Sequence, residues 1–190
     1  MDALQALTSR RSPPKLIEPA PSDEQLSEIL AAAIRAPDHG RLRPWRFILL
    51  RGEARERLGT VLADALKARA PDVPDDALAR ERQKPLRAPL MVVVAASLVE
   101  GHKIPVIEQV LAAGAAAQNL VVAAHAMGFG AMWRTGEPAY DTRVKTALGL
   151  APGDAIVGFM YLGTPQGRPA IPPNEPGVKD FVREWSGAAG

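Results

Sequence analysis

The feature that most constrains this chain is a long run of small and apolar residues, VIEQVLAAGAAAQNLVVAAHAM, at positions 106–127. It is long enough for a membrane-spanning helix, which needs about 20 mostly apolar residues. Five polar residues interrupt it, however, and such groups are costly in hydrocarbon: Glu108, Gln109, Gln118, Asn119 and His125. We therefore predict the central helix of a soluble domain, apolar nearly all round because it is buried nearly all round.

Composition narrows the class of protein. A chain of 190 residues favours one domain spanning 1–190. Without cysteine it has no disulfide, thiolate metal site or cysteine nucleophile, and the spacing of its three histidines does not suggest a metal site. A net charge of +2 gives no indication of a nucleic-acid partner. The N-terminus lacks the apolar core of a secretory signal, so we expect a cytoplasmic protein with no membrane partner.

Apolar periodicity predicts alternating helices and strands. A capping box at Ser22 begins a helix that ends before Pro37. Further helices are predicted over 2–9, 53–69 and 138–148, and strands over 45–50, 89–97, 129–135 and 155–162. Residues 164–190 contain five prolines and form an extended C-terminal arm, helical only over about 178–185. These elements indicate an α+β or α/β domain with a small sheet flanked by helices.

Two polar segments are candidate binding sites. The RRSPPK segment at 10–15 is either a solvated basic turn or a phosphate clamp, in which guanidinium groups hold phosphate oxygens and Ser12 donates a hydrogen bond. The loop at 37–44 places Asp38, His39, Arg41 and Arg43 close together, and such loops often carry binding sites. The GFG at 128–130 is not a dinucleotide fingerprint, because a helix precedes it and a strand follows it.

Several segments, in chain order, together resemble the nitroreductase family of flavoproteins. The family's R-R-S-x-R-like segment corresponds to residues 10–15, and its A-P-S-x-x-N-x-Q-P-W-x-F segment corresponds to residues 36–47. Its A-x-Q-N-L, G-x-G and L-G-x-P motifs correspond to residues 116–120, 128–130 and 162–165. The resemblance covers nearly the whole chain, and it is strongest to short family members in APDH at 36–39, GFGAMWRTG at 128–136 and VGFMYLGTPQ at 157–166.

This resemblance implies a nitroreductase-like α+β fold with a small mixed central sheet, and a homodimer that binds FMN at the subunit interface. By family analogy, Arg10, Arg11 and Ser12 would hold the phosphate and ribityl chain, together with Arg168. Arg35 and His39 would reach the flavin of the partner subunit. Trp133, Arg134 and Thr135 would line the isoalloxazine ring and ribityl chain. Arg134, or a backbone amide near it, is the candidate to stabilise the negative charge of the reduced ring.

The resemblance also implies an activity, namely ping-pong electron transfer from NAD(P)H to an electron-poor small molecule such as a nitroaromatic or a quinone. No side chain is assigned as a catalytic acid or base, because the cofactor carries the chemistry. A flavin carrier or redox sensor without turnover is the alternative. The chain departs from the family pattern at Arg41 and Arg43, where cations replace an Asn and a Gln. That exchange leaves the preferred acceptor open and makes an anionic substrate one option.

Overall fold

The computed structural model describes residues 1–167 and 177–187. In chain order its main elements are α1 (Ala3–Ser9), β1 (Leu16–Ile17), α2 (Asp23–Ala33), β2 (Trp45–Arg51), α3 (Glu53–Arg69), α4 (Asp75–Gln83), β3 (Leu90–Ala96), α5 (Val106–Ala126), β4 (Gly130–Arg134), α6 (Thr142–Ala147) and β5 (Ala155–Pro165). Short 3-10 turns lie at His39–Arg41, Lys84–Arg87, Glu137–Ala139 and Val178–Asp180.

Local side chains fix the starts of the first two helices, α1 and α2. The Asp2 carboxylate accepts a hydrogen bond from the Gln5 amide and begins α1. The predicted capping box is present at α2: the Ser22 hydroxyl accepts from the Gln25 amide, and the Gln25 side chain accepts from the Ser22 amide. These sequence predictions are confirmed.

The central sheet runs β2, β3, β5, β4, and β1 pairs with the last two residues of β5. The family resemblance implied a mixed sheet, but every strand pair in the described part of the chain is antiparallel. Strand direction is not encoded in an apolar run. Between β2 and β3 the chain makes two helical passes, α3 and α4, so β3 starts at the end where β2 finished and runs back beside it.

Two apolar layers cover this sheet, and β3 is buried along its whole length. Leu90, Val92 and Val94 face the layer that contains α2 and α5. Met91 and Val93 face the opposite layer with α3 and α6. This alternation follows the two-residue period of a strand, and it explains why β3 has no polar residue.

Helix α5 is the predicted central helix, but within one chain only one side of it is covered. It is long and apolar enough to span a membrane by length and composition alone, yet Ala117 and Leu120 are fully buried against the sheet. On the other side Ile107 and Leu111 are each 62% exposed. The expected burial nearly all round is therefore incomplete, because no element within residues 1–167 and 177–187 covers Ile107 and Leu111.

Two predicted helices differ from the structure. The segment 138–148 is interrupted at Asp141, whose carboxylate caps α6 by accepting from the Arg143 amide and also pairs with Arg69. The segment 178–185 is not a helix beyond a 3-10 turn at Val178–Asp180. Its apolar residues, including Trp185 at 84% exposure, do not pack on the core, and a short helix is marginal without packing.

Candidate functional site

The predicted site residues fall into three groups, and the fold positions each group by a different element. Trp133, Arg134 and Thr135 lie at the end of β4. Arg10, Arg11 and Ser12 follow α1 directly. Arg35 follows α2, and His39 begins a 3-10 turn in the next loop.

The first group surrounds a cavity of ≈ 430 Å³ at the sheet edge, where β4 and β5 meet the 3-10 turn before β3. All three predicted residues of this group contribute to its wall. The complete lining is Leu62, Lys84, Arg87, Met91, Trp133, Arg134, Thr135, Gly136, Pro138, Phe159 and Tyr161. The cavity thus combines apolar walls with several cations.

The indole of Trp133 has a fixed position beside this cavity. Its Nε1 donates a hydrogen bond to the carbonyl of Val157 at 3.1 Å. A Cβ at Gly158 would come within 2.2 Å of that nitrogen, so the ring occupies space that only glycine leaves open. The β3–β5 register skips Val157, which indicates a bulge at this point. Glycine and bulge together place the half-exposed indole.

Three polar residues of the cavity were missed by the sequence analysis: Lys84, Arg87 and Tyr161. Tyr161 is only 6% exposed, and its hydroxyl has no hydrogen-bond partner within the described residues. Burial raises the pKa of this hydroxyl, which the nearby guanidinium groups of Arg87 and Arg134 counteract. Tyr161 therefore remains a neutral donor that can serve a bound molecule. Only its place within an apolar strand could have drawn attention to it.

The Arg10–Ser12 segment lies against the C-terminal end of α5. Arg10 Nη1 donates to the Ser12 hydroxyl at 3.3 Å, and Arg11 Nη1 donates to the Thr8 carbonyl at 3.0 Å. Ser9 hydrogen-bonds His125 at 2.9 Å. Burial lowers the pKa of His125, and the charges of Arg10 and Arg11 lower it further. This environment is electropositive, as a phosphate site requires.

The clamp segment and the cavity beside β4 are neighbours. Arg11 itself lines a different cavity of ≈ 340 Å³, next to Gly128 and Gly130. The following residues, Pro13 and Pro14, form a narrow cleft with Arg87, Met132 and Arg134. The chain therefore passes from the basic segment to the rim of the cavity, although the predicted residues do not share one cavity.

The third group lies elsewhere on the same chain. Arg35 lines an open cavity of ≈ 500 Å³ with Arg41 and Arg43. His39 does not line it; its Nδ1 lies 2.5 Å from the Glu108 carboxylate at the start of α5. Within one chain, neither residue joins Trp133. Arg168 lies outside the described residues, and no cluster of metal-binding side chains occurs within them.

Comparison with known proteins identifies the family. A model described as "Nitroreductase family" matches residues 7–164. The chain is 45% identical over 182 residues to the Escherichia coli (strain K12) protein named "Putative NAD(P)H nitroreductase YdjA", covering 96% of this chain and 98% of that one.

Solved structures share the fold. A nitroreductase-like protein from Bacillus cereus superposes with a TM-score of 0.81 at 24% identity, covering 98% of this chain and 97% of the other. A protein from Desulfovibrio desulfuricans, described as a putative nitroreductase in complex with FMN, gives a TM-score of 0.72 at 25% identity, covering 97% and 98%. The chain therefore belongs to the nitroreductase family.

Proposed function

We propose that this protein is an FMN-dependent oxidoreductase that transfers electrons from NAD(P)H to an electron-poor small molecule in a ping-pong reaction. The observation that carries the proposal is the cavity beside β4, where Trp133, Arg134 and Thr135 meet Lys84, Arg87 and Tyr161. The named relatives of this chain support the donor, and the FMN-bound structural neighbour supports the cofactor.

The residues of the cavity fit a flavin ring. Leu62, Met91 and Phe159 provide apolar walls for a flat aromatic system, and the cavity volume of ≈ 430 Å³ is in the range of small-molecule sites. The unpartnered hydroxyl of Tyr161 and the guanidinium groups of Arg87 and Arg134 offer donors and positive charge at the edge. When bound, FMN supplies the redox chemistry, and cations beside it favour the added electron density.

The phosphate end of the cofactor is assigned to Arg10, Arg11 and Ser12, with Arg168 as a further ligand. A phosphate dianion is bound best by convergent guanidinium and hydroxyl donors. The contact between Arg10 and Ser12 already brings two donors together. The charges of Arg10 and Arg11 reach His125, where they add to burial in lowering the pKa of its imidazole. Pro13 and Pro14 then connect this end to the cavity.

We also propose that the active species is a cytoplasmic homodimer. An apolar face, defined by Leu4, Leu7, Ile34, Ile107 and Leu111, is exposed on α1, the end of α2 and α5. A groove of ≈ 480 Å³ between α1 and α5 continues it. A second copy would cover this face. It would also bring Arg35 and His39 to the flavin of the partner. Neither residue lines the cavity beside β4 in its own chain.

Purification and anaerobic reduction test this function. We expect a yellow protein that releases FMN on denaturation, is bleached anaerobically by NADH or NADPH, and is reoxidised by a nitroaromatic or quinone. A colourless protein that takes up no added FMN would refute both the oxidoreductase and a flavin carrier. If the protein is yellow but neither donor bleaches it, the oxidoreductase is wrong and the carrier is retained.

A further inference from the structure

The open cavity that contains Arg35 has an unusual charge. Three guanidinium groups, those of Arg35, Arg41 and Arg43, line it, and Asp38 is the only carboxylate among the described residues that do so. The remaining wall is Ile34, Ala36 and Trp45. At neutral pH this wall carries three positive charges and one negative charge. It is therefore strongly electropositive beside an apolar and aromatic surface.

The three cations are not used by the fold. Arg35, Arg41 and Arg43 are exposed, and none of their side chains has an ion pair or a hydrogen bond within residues 1–167 and 177–187. The Asp38 carboxylate instead accepts a hydrogen bond from the backbone amide of Arg43 at 2.7 Å. The positive charge is thus left for a group outside this chain's own described residues.

The backbone of this loop is held in an unfavourable conformation that directs the two arginines. Arg41 has φ 55° and Arg43 has φ 48°, a region that residues other than glycine rarely adopt, with asparagine the most tolerant. Hydrogen bonds fix the conformation: Asp38 accepts from the Arg43 amide, and Arg46 Nη1 donates to the Arg43 carbonyl at 3.0 Å. Arginine has no conformational advantage at either position, so its presence calls for a reason in its charge.

We propose that Arg41 and Arg43, beside the flavin-directed Arg35, form an anion-binding subsite that selects acceptors carrying a carboxylate next to a flat, electron-poor ring. Guanidinium groups match the two oxygens of a carboxylate, and Trp45 offers an apolar surface for the ring. FMN does not explain the charges of Arg41 and Arg43, because its phosphate is assigned to Arg10–Ser12 and Arg35 is the one cation of this cavity that is assigned to the flavin. The inference rests on the proposed function, in which this loop meets the partner's flavin.

Two probes of the same size separate charge from shape: 4-nitrobenzoate and the neutral 4-nitrobenzamide. In calorimetric titration of the FMN-loaded protein, we expect 4-nitrobenzoate to bind about tenfold more tightly, and this preference to shrink at high ionic strength. In turnover with NADH, kcat/KM for 4-nitrobenzoate should exceed kcat/KM for 4-nitrobenzamide by a similar factor. Equal affinities and equal kcat/KM would overturn the subsite.

Variants identify the residues responsible. Arg41→Asn and Arg43→Asn remove the charge while keeping a side chain that tolerates the left-handed backbone, so both should fold. We expect each to weaken 4-nitrobenzoate binding about fivefold, the double variant to abolish the preference, and the amide to be unaffected. Arg57→Asn, which removes an exposed arginine on α3, is the matched control. Retention of the preference in the double variant would refute the proposal.

The same measurements separate three outcomes. Binding of 4-nitrobenzoate that depends on Arg41 and Arg43, in a protein that neither donor reduces, would support the anion subsite and refute the oxidoreductase. Turnover with equal kcat/KM for 4-nitrobenzoate and 4-nitrobenzamide would support the oxidoreductase and refute the anion subsite. A loss of NADPH use relative to NADH in the two variants, with 4-nitrobenzoate unaffected, would assign the cations to the phosphate of the donor and overturn the acceptor subsite.

Discussion

The indole of Trp133 lies directly against Gly158, closer than any residue with a Cβ atom would allow. Trp133 Nε1 is bonded to the carbonyl of Val157 at 3.1 Å, and a Cβ on Gly158 would lie 2.2 Å from the same nitrogen. The two residues come from neighbouring strands, β4 and β5. The position of the indole beside the candidate flavin cavity therefore depends on a glycine that itself does not line the cavity.

Replacing Gly158 by alanine should displace the Trp133 ring. We expect a loss of about 1–3 kcal/mol in the free energy of unfolding, typical of overpacking, because the new methyl group would meet a fixed ring. The tryptophan emission should change, and FMN affinity should fall. Urea denaturation and fluorescence titration with FMN measure these effects.

Gly153→Ala is the control for that variant. A Cβ at Gly153 would meet only Glu100, at 3.8 Å, which is an ordinary contact. We expect it to retain wild-type emission and FMN affinity. Unchanged emission and affinity in Gly158→Ala would show that the ring is free to move and that Gly158 does not position it.

Removing the basic clamp should weaken FMN binding. Arg10→Ala and Arg11→Ala each delete a guanidinium group near the proposed phosphate position, and we expect about a tenfold loss of affinity for each. Riboflavin, which lacks the phosphate, should bind the variants and the wild type equally well. Fluorescence titration with both flavins measures this, and Arg57→Ala serves as the control. Equal losses for riboflavin and FMN would argue against a phosphate contact.

The apolar face predicts a dimer that a single charge can disrupt. Leu111, which is 62% exposed on α5, is the target, and Leu111→Glu would place a carboxylate in the proposed interface. We expect a monomer in size-exclusion chromatography, with FMN affinity reduced because Arg35 and His39 of the partner subunit are lost. Val99→Glu, at an exposed site in the loop before α5, should remain dimeric. A wild-type monomer that holds FMN tightly would contradict the interface.

The histidine near the clamp predicts a pH dependence of stability. Burial and the charges of Arg10 and Arg11 lower the pKa of His125 below its ordinary value of 6.5. At a pH between 6.5 and the lower pKa of the folded state, His125 binds more protons in the unfolded chain than in the folded one. The free energy of unfolding should therefore fall as the pH drops below 6.5. His125→Asn should remove this contribution. Urea denaturation of the wild type and the variant across this pH range measures the contribution. If the free energy of unfolding changes with pH equally in both proteins, the lowered pKa of His125 is refuted.

The sequence alone predicted the local structure well where short-range signals act. The capping box at Ser22 and the apolar periodicity of α3 define those helices, because caps and helix faces depend on residues three or four positions apart. The β-branched run of β3 predicted a central strand. The ordered set of motifs was sufficient to recognise the nitroreductase family, which the family match confirms. The prediction of a helix over 178–185 was wrong, because the apolar side chains of this segment are exposed and do not pack on the described core.

Only the tertiary structure decided which residues share a site. Lys84, Arg87 and Tyr161 are distant from Trp133 in the chain, and the sheet brings them to one cavity. No local pattern encodes that meeting. Strand direction was likewise set by the two passes of α3 and α4, and the place of Trp133 by a glycine and a bulge on β5. Helix propensity and apolar pattern act over a few residues, whereas a site is assembled from contacts between distant segments, which arise only when the chain is folded.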